Sequence, residues 1–182
     1  MSMSMVQPTS RLSVTQDGGY TRIEVPARRP FFIILFLTFW LCLWTVGGLA
    51  ALAGLFDGTG DATGNLFSAI WLCVWAFGWI YTAISLAWMG FGTDTLWIGS
   101  SQIGRKLSVG ALSKSYEYDV THAKRTWFKE QPIGSTSAAP WSGNSVVMSY
   151  GGRQVKFANG VDETEAQIIL DTLTSIAGIP QK

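Results

Sequence analysis

The sequence predicts a hairpin of two membrane-spanning helices joined to an α+β domain. Three observations predict it: two long windows without a charged residue, short strands of alternating polarity on both sides of them, and one amphipathic helix after the last strand. Of the 182 residues, 48% are apolar and only 14% charged, against roughly 25% charged in average soluble domains. The deficit is local. No charge occurs between Pro30 and Phe56, and none between Ala62 and Thr93.

Each window reaches roughly 38 Å at the helical rise, more than the ~30 Å hydrocarbon core of a bilayer. The predicted spans are residues 31–56 and 66–89. The first apolar run starts late, is longer than the core of a signal peptide and lacks a cleavage context, so it reads as a span. A net charge of +1 offers no basic stripe for nucleic acid.

Ahead of the first span, residues 12–16 and 20–25 alternate apolar with polar around Asp17-Gly18-Gly19, a hairpin signal. Two strands alone are marginal in water, so this hairpin needs a larger sheet. Strands at 95–98, 103–109, 115–120 and 124–128 supply one, and 146–150 with 153–158 form a second hairpin around Gly151-Gly152. In the last strand Val155 and Phe157 face one way, Gln154 and Lys156 the other. Asp162 and Glu165 form a capping-box start. Ala166, Ile169, Leu173 and Ile176 then mark one helical face, which Gly178 and Pro180 end.

Strands followed by one amphipathic helix predict a β-roll with the helix over its open end. The expected divisions are 1–29, an N-terminal tail and β-hairpin; 30–92, the membrane hairpin; and 93–182, the rest of the roll. Because residues 1–29 contribute strands to that roll, the spans are an insertion into one domain. Residues 130–145, rich in Ser, Pro, Ala and Gly and containing Trp141, are either disordered or a contact loop.

Orientation follows from basic residues near the span ends. Arg22, Arg28 and Arg29 precede the first span, and Arg105, Lys106 and Lys114 follow the second. The connection 57–65 holds Asp57 and Asp61 and no base, which puts both termini in the cytoplasm. Two acids four apart without a closing Glu make a solvated turn rather than a calcium loop.

The spans contain no Asp, Glu, Lys, Arg or His, the groups that proton relays and ion pathways use. They do contain indoles at four-residue intervals: Trp40 and Trp44 in the first, Trp71, Trp75 and Trp79 in the second. Residues four apart share a helix face. A deep indole packs against another helix or a flat cofactor and needs an acceptor for its N–H. Three readings stand: packing within the hairpin or against lipid, contact with a second membrane protein, and contact with a pigment or quinone. Gly47, Ala51 and Gly54, with Gly48, make a small face that serves either pairing.

Cys42 and Cys73 lie inside the spans as small apolar residues. No metal-ligand spacing occurs, and His122 is the one histidine, so neither a metal, a cofactor nor a catalytic constellation is expected. Arg28, Arg29, Arg105 and Lys106 are candidate contacts to anionic lipid headgroups, each worth about 1 kcal/mol near the surface.

The order of segments, with Arg28-Arg29-Pro30-Phe31-Phe32 before the first span, Tyr150-Gly151-Gly152-Arg153-Gln154-Val155-Lys156-Phe157 and Gly160-Val161-Asp162-Glu163-Thr164-Glu165-Ala166, resembles uncharacterised bacterial two-span membrane proteins with a pleckstrin-homology-like (PH-like) cytoplasmic domain. The resemblance covers nearly the whole chain. It implies a seven-stranded PH-like roll capped by the C-terminal helix, in a bacterial inner membrane, and no defined activity. The expected function is a non-enzymatic accessory or scaffold subunit that packs against a larger membrane protein complex, of respiratory or photosynthetic kind. The alternative is a membrane-anchored regulator that binds anionic lipid or a peptide. No small-molecule substrate is evident.

Overall fold

Turn glycines and strand alternation organise the chain on either side of its apolar windows. The computed structural model describes residues 4–5, 11–57, 61–131 and 143–182. Trp141 and most of the 130–145 loop lie outside the described residues. The chain divides into two units, Met1–Arg28 with Phe91–Lys182, and Arg29–Gly90.

The second unit is built from α1 (Phe31–Phe56) and most of α2 (Ala62–Phe91), both long and apolar enough to cross a membrane. The second helix extends four residues earlier and two later than the predicted 66–89. Asp61 is the reason at its start: its Oδ1 accepts from the Gly64 N–H at 2.9 Å, and its carbonyl accepts from the Asn65 N–H at 3.0 Å. That cap winds residues 62–65 into the helix, where their Gly and Asn suggested a loop. Thr38, Thr45, Thr82 and Ser85 each donate to the carbonyl four residues back, at 2.6–2.9 Å, which satisfies their hydroxyls inside the apolar helices.

The other unit holds nine strands among the described residues. Strands β1 (Ser4–Met5), β2 (Ser13–Asp17), β3 (Tyr20–Pro26), β4 (Gly92–Ile98), β5 (Gln102–Val109) and β6 (Leu112–Asp119) form one antiparallel sheet in that order. Strands β7 (Ala123–Lys129), β8 (Ser145–Tyr150) and β9 (Arg153–Phe157) form another. The eight strands read from the sequence are all present, with β1 as a ninth; the resemblance implied seven. Gly18-Gly19 (φ 54° and 91°) and Gly151-Gly152 (φ 51° and 82°) supply the positive φ that tight hairpin turns demand.

Helix α3 (Glu163–Ala177) packs on β7, β8 and β4, strands of both sheets. Its Ala166, Ile169 and Leu173 meet Ile23, Val25, Leu96, Ile98 and Ile103 of the first sheet and Val146, Met148 and Phe157 of the second. Ile176 is only half-buried, and Ala177 and Ile179 fill the core beside it. Gly178 closes the helix in the left-handed region at φ 65°. The chain then runs beside β7, where the Thr126 N–H donates to the Pro180 carbonyl and the Lys182 N–H to the Thr126 carbonyl, both at 3.0 Å. The points where the chain leaves and re-enters this unit are neighbours, since the Ala27 N–H donates to the Gly92 carbonyl at 2.9 Å.

Candidate functional site

Five of the six tryptophans of α1 and α2 divide into two groups by what they touch. Trp75 Nε1–H donates to the Trp44 carbonyl at 3.2 Å, and Trp79 Nε1–H to Thr45 Oγ1 at 2.8 Å. Both deep indoles thus find the acceptor that an apolar surrounding makes obligatory. Gly48, the one buried residue of α1 among the described residues, lies against the Trp75 ring so closely that a Cβ there would overlap it. In return Trp44 covers Gly78, where a Cβ would sit 3.6 Å from the ring. Trp44, Trp75 and Trp79 therefore serve the pairing of α1 with α2.

Trp40 and Trp71 face outward, 45% and 43% exposed. Trp40 sets its ring edge-on to Trp44 at 5.6 Å and stacks on Phe36 at 6.3 Å. Trp40, Trp44, Trp71 and Trp75 surround a concavity of about 240 Å³ floored by Gly47 and Gly48. Of the small face, Gly47 and Gly54 are exposed and Ala51 is half-buried. Gly48 belongs to the small face read from the sequence, whereas Thr45 and Gly78 are contact residues that neither the indole spacing nor that face singled out. Their signal was faint: one hydroxyl beside Trp44, and one glycine among many small residues.

One member of the basic set is withdrawn from the surface. Arg105 was expected to reach lipid headgroups, but it is buried, 8% exposed, and turned into the core. Its Nε–H and Nη2–H donate to the Asp94 carboxylate at 2.7–3.2 Å, and its Nη1–H donates to the Lys156 carbonyl at 2.6 Å. Strand alternation sends Arg105 and Lys106 to opposite faces, and Asp94 on the inner face of β4 selects Arg105. Lys106 is half-buried on the other face. Arg28 is exposed with its Nε–H on the Gly160 carbonyl at 2.7 Å, and Arg29 is exposed.

A second ion pair ties the N-terminal strands to α3. Arg11 Nε and Nη2 donate to Glu165 Oε1 and Oε2 at 3.0 and 2.9 Å, and Glu165 is 2% exposed. Glu165 also completes the capping box, accepting from the Asp162 N–H at 3.0 Å. Burial pushes its carboxyl up, but the Arg11 hydrogen bonds and charge together with the backbone donor outweigh that and hold it below the usual carboxylate range.

Among the described residues, no group of three or more His, Cys, Asp or Glu side chains is placed to hold a metal ion. His122 is exposed and meets the edge of the Tyr150 ring at 5.8 Å. Comparison with protein-family models, with curated proteins and with solved structures found no match.

Proposed function

We propose that this protein is a non-enzymatic accessory subunit of a bacterial inner membrane, whose hairpin packs against a larger membrane protein complex. In this reading α1 and α2 cross the bilayer twice, both termini are cytoplasmic, and the sheet unit is a PH-like roll. The basic residues Arg28, Arg29, Lys106 and Lys114 on the flanks, against Asp57 and Asp61 between the helices, support that orientation.

The observation that carries the reading is the indole-lined concavity over Gly47. The hairpin meets the needs of Trp75 and Trp79 internally, yet leaves Trp40 and Trp71 with almost half their surface uncovered. A floor without side chains between large rings suits a helix of another protein, whose backbone approaches closely there while the rings grip its sides.

The test is purification of the tagged protein from native membranes in mild detergent, as wild type and as Trp40→Leu/Trp71→Leu. The wild type should carry a stoichiometric larger membrane protein and the double variant should lose it. A change of exposed Phe77 to Leu should leave the complex intact. A lone monomer at every detergent strength overturns the reading.

A further inference from the structure

The outward face of the first sheet carries a second concavity, of about 300 Å³, that the membrane reading does not use. Asp17, Tyr20, Arg22, Trp97, Gln102 and Glu117 line it. The strand register explains how they meet. Arg22, Trp97, Gly104 and Glu117 are successive partners across β3, β4, β5 and β6, and Asp17 is the partner of Tyr20. Their neighbours Thr21, Ile23, Leu96, Ile98 and Ile103 are buried, so alternation turns this row outward.

Two glycines seat the two rings. A Cβ on Gly104 would stand 3.0 Å from Trp97 Cε3, and one on Gly99 would stand 2.6 Å from Tyr20 Cε1. Both rings therefore come close to backbone at positions where any other residue would place a side chain. Tyr20 stays 45% exposed, and Trp97 is half-buried. The charge around them is unbalanced. Arg22 is paired with Glu24, whereas neither Asp17 nor Glu117 takes part in an ion pair among the described residues.

We propose that this concavity binds a small organic cation of the quaternary ammonium type. A weakly hydrated cation is attracted to the faces of Trp and Tyr, and the unpaired carboxylates on β2 and β6 complete its charge. A strongly hydrated ammonium or metal ion gains less from rings than it loses in water. A volume of about 300 Å³ is at the small end of ligand pockets, matched to a head of this size and not to a long chain. The ammonium comes either as a free solute or as the headgroup of a lipid, and the chemistry recognised is the same.

Titration of the full chain in maltoside detergent, followed by calorimetry, tests the site. Choline should bind saturably, and its neutral isostere 3,3-dimethyl-1-butanol should bind at least about tenfold more weakly. Trp97→Leu should weaken choline binding about tenfold. Glu117→Gln, at an exposed position that leaves the fold intact, should weaken it several-fold, and Trp71→Leu should not change it. Phosphocholine separates the sources: tighter binding than choline assigns a lipid headgroup, weaker binding a free cation, and both uphold the site. Equal binding of the neutral isostere, no saturable choline binding by the wild type, or binding unchanged by Glu117→Gln overturns the proposal.

Discussion

Asp94 concentrates the electrostatics of the sheet unit in one side chain. Its carboxylate accepts from the guanidinium of Arg105 and, at 3.0 Å, from the N–H of Ala158, the one non-glycine residue with positive φ (51°) among the described residues. Neutralising it strands a buried positive charge and frees a strained turn. Asp94→Asn should lower stability by about 3–5 kcal/mol, read from thermal or denaturant unfolding in detergent. Asp94→Asn with Arg105→Met should lose less than the sum of the single changes, because no unpaired charge then remains.

Glu165 makes the complementary case, with a pH signature. Its folded carboxyl is held below the usual range, so its contribution is complete above the unfolded value of about 4.3 and shrinks as pH falls toward the depressed one. Glu165→Gln should cost about 2 kcal/mol near neutral pH and flatten the acid limb of the stability profile. A variant that keeps the full acid limb would assign that limb to other carboxylates. Arg105 was not legible as a core cation, because a strand pattern gives two faces without saying which one is inside; Arg11, ahead of β2 and only part-buried, finds Glu165 through the fold alone.

Among the elements, the hairpin shows how much a spacing leaves undecided. Four-residue intervals placed the tryptophans on common faces, but every glycine of α1 was equally eligible to receive a ring. The structure selects Gly48, against the Trp75 indole, while a Cβ on Gly47 would meet nothing within 4 Å. Gly48→Ala should therefore destabilise the pairing by about 1–3 kcal/mol through overpacking. Gly47→Ala should be neutral or slightly stabilising to the isolated protein. Resistance of the purified protein to unfolding in increasing denaturing detergent would rank the two, and equal ranks would count against the assigned helix faces. Helix α3 was more legible. Its cap, apolar stripe and terminating glycine are local, and the structure keeps each, shifting only the last buried position from Ile176 to Ala177 and Ile179.

For the whole molecule, the N-terminal strands are the test of how the chain is put together. Ile23 and Val25 of β3 are fully or almost fully buried, and β3 stands between β2 and β4 in the sheet. Removing residues 1–26 strips β4 of one of its two neighbours, leaves Glu165 without Arg11, and opens the core below α3. The residues after the second apolar helix should then lose their protection from hydrogen exchange and protease. Retained protection would mean that those residues fold without the strands ahead of the first helix.

Local order came directly from the sequence. The two apolar helices rest on the length of uncharged windows, and the glycine turns, eight of the nine strands and the capped final helix on periodicity and on residues within one turn of each other. Partner choice did not. Asp94 finds Arg105 eleven positions away, Trp79 finds Thr45 thirty-four away, and Arg11 finds Glu165 across 154. Each such pair exists because folding brings distant faces together and desolvates them, so an unmatched charge or indole N–H would be costly there. The four-strand row of Arg22, Trp97, Gly104 and Glu117 has the same origin. Its members are unremarkable in their own strands, and only the register across the sheet makes them one surface.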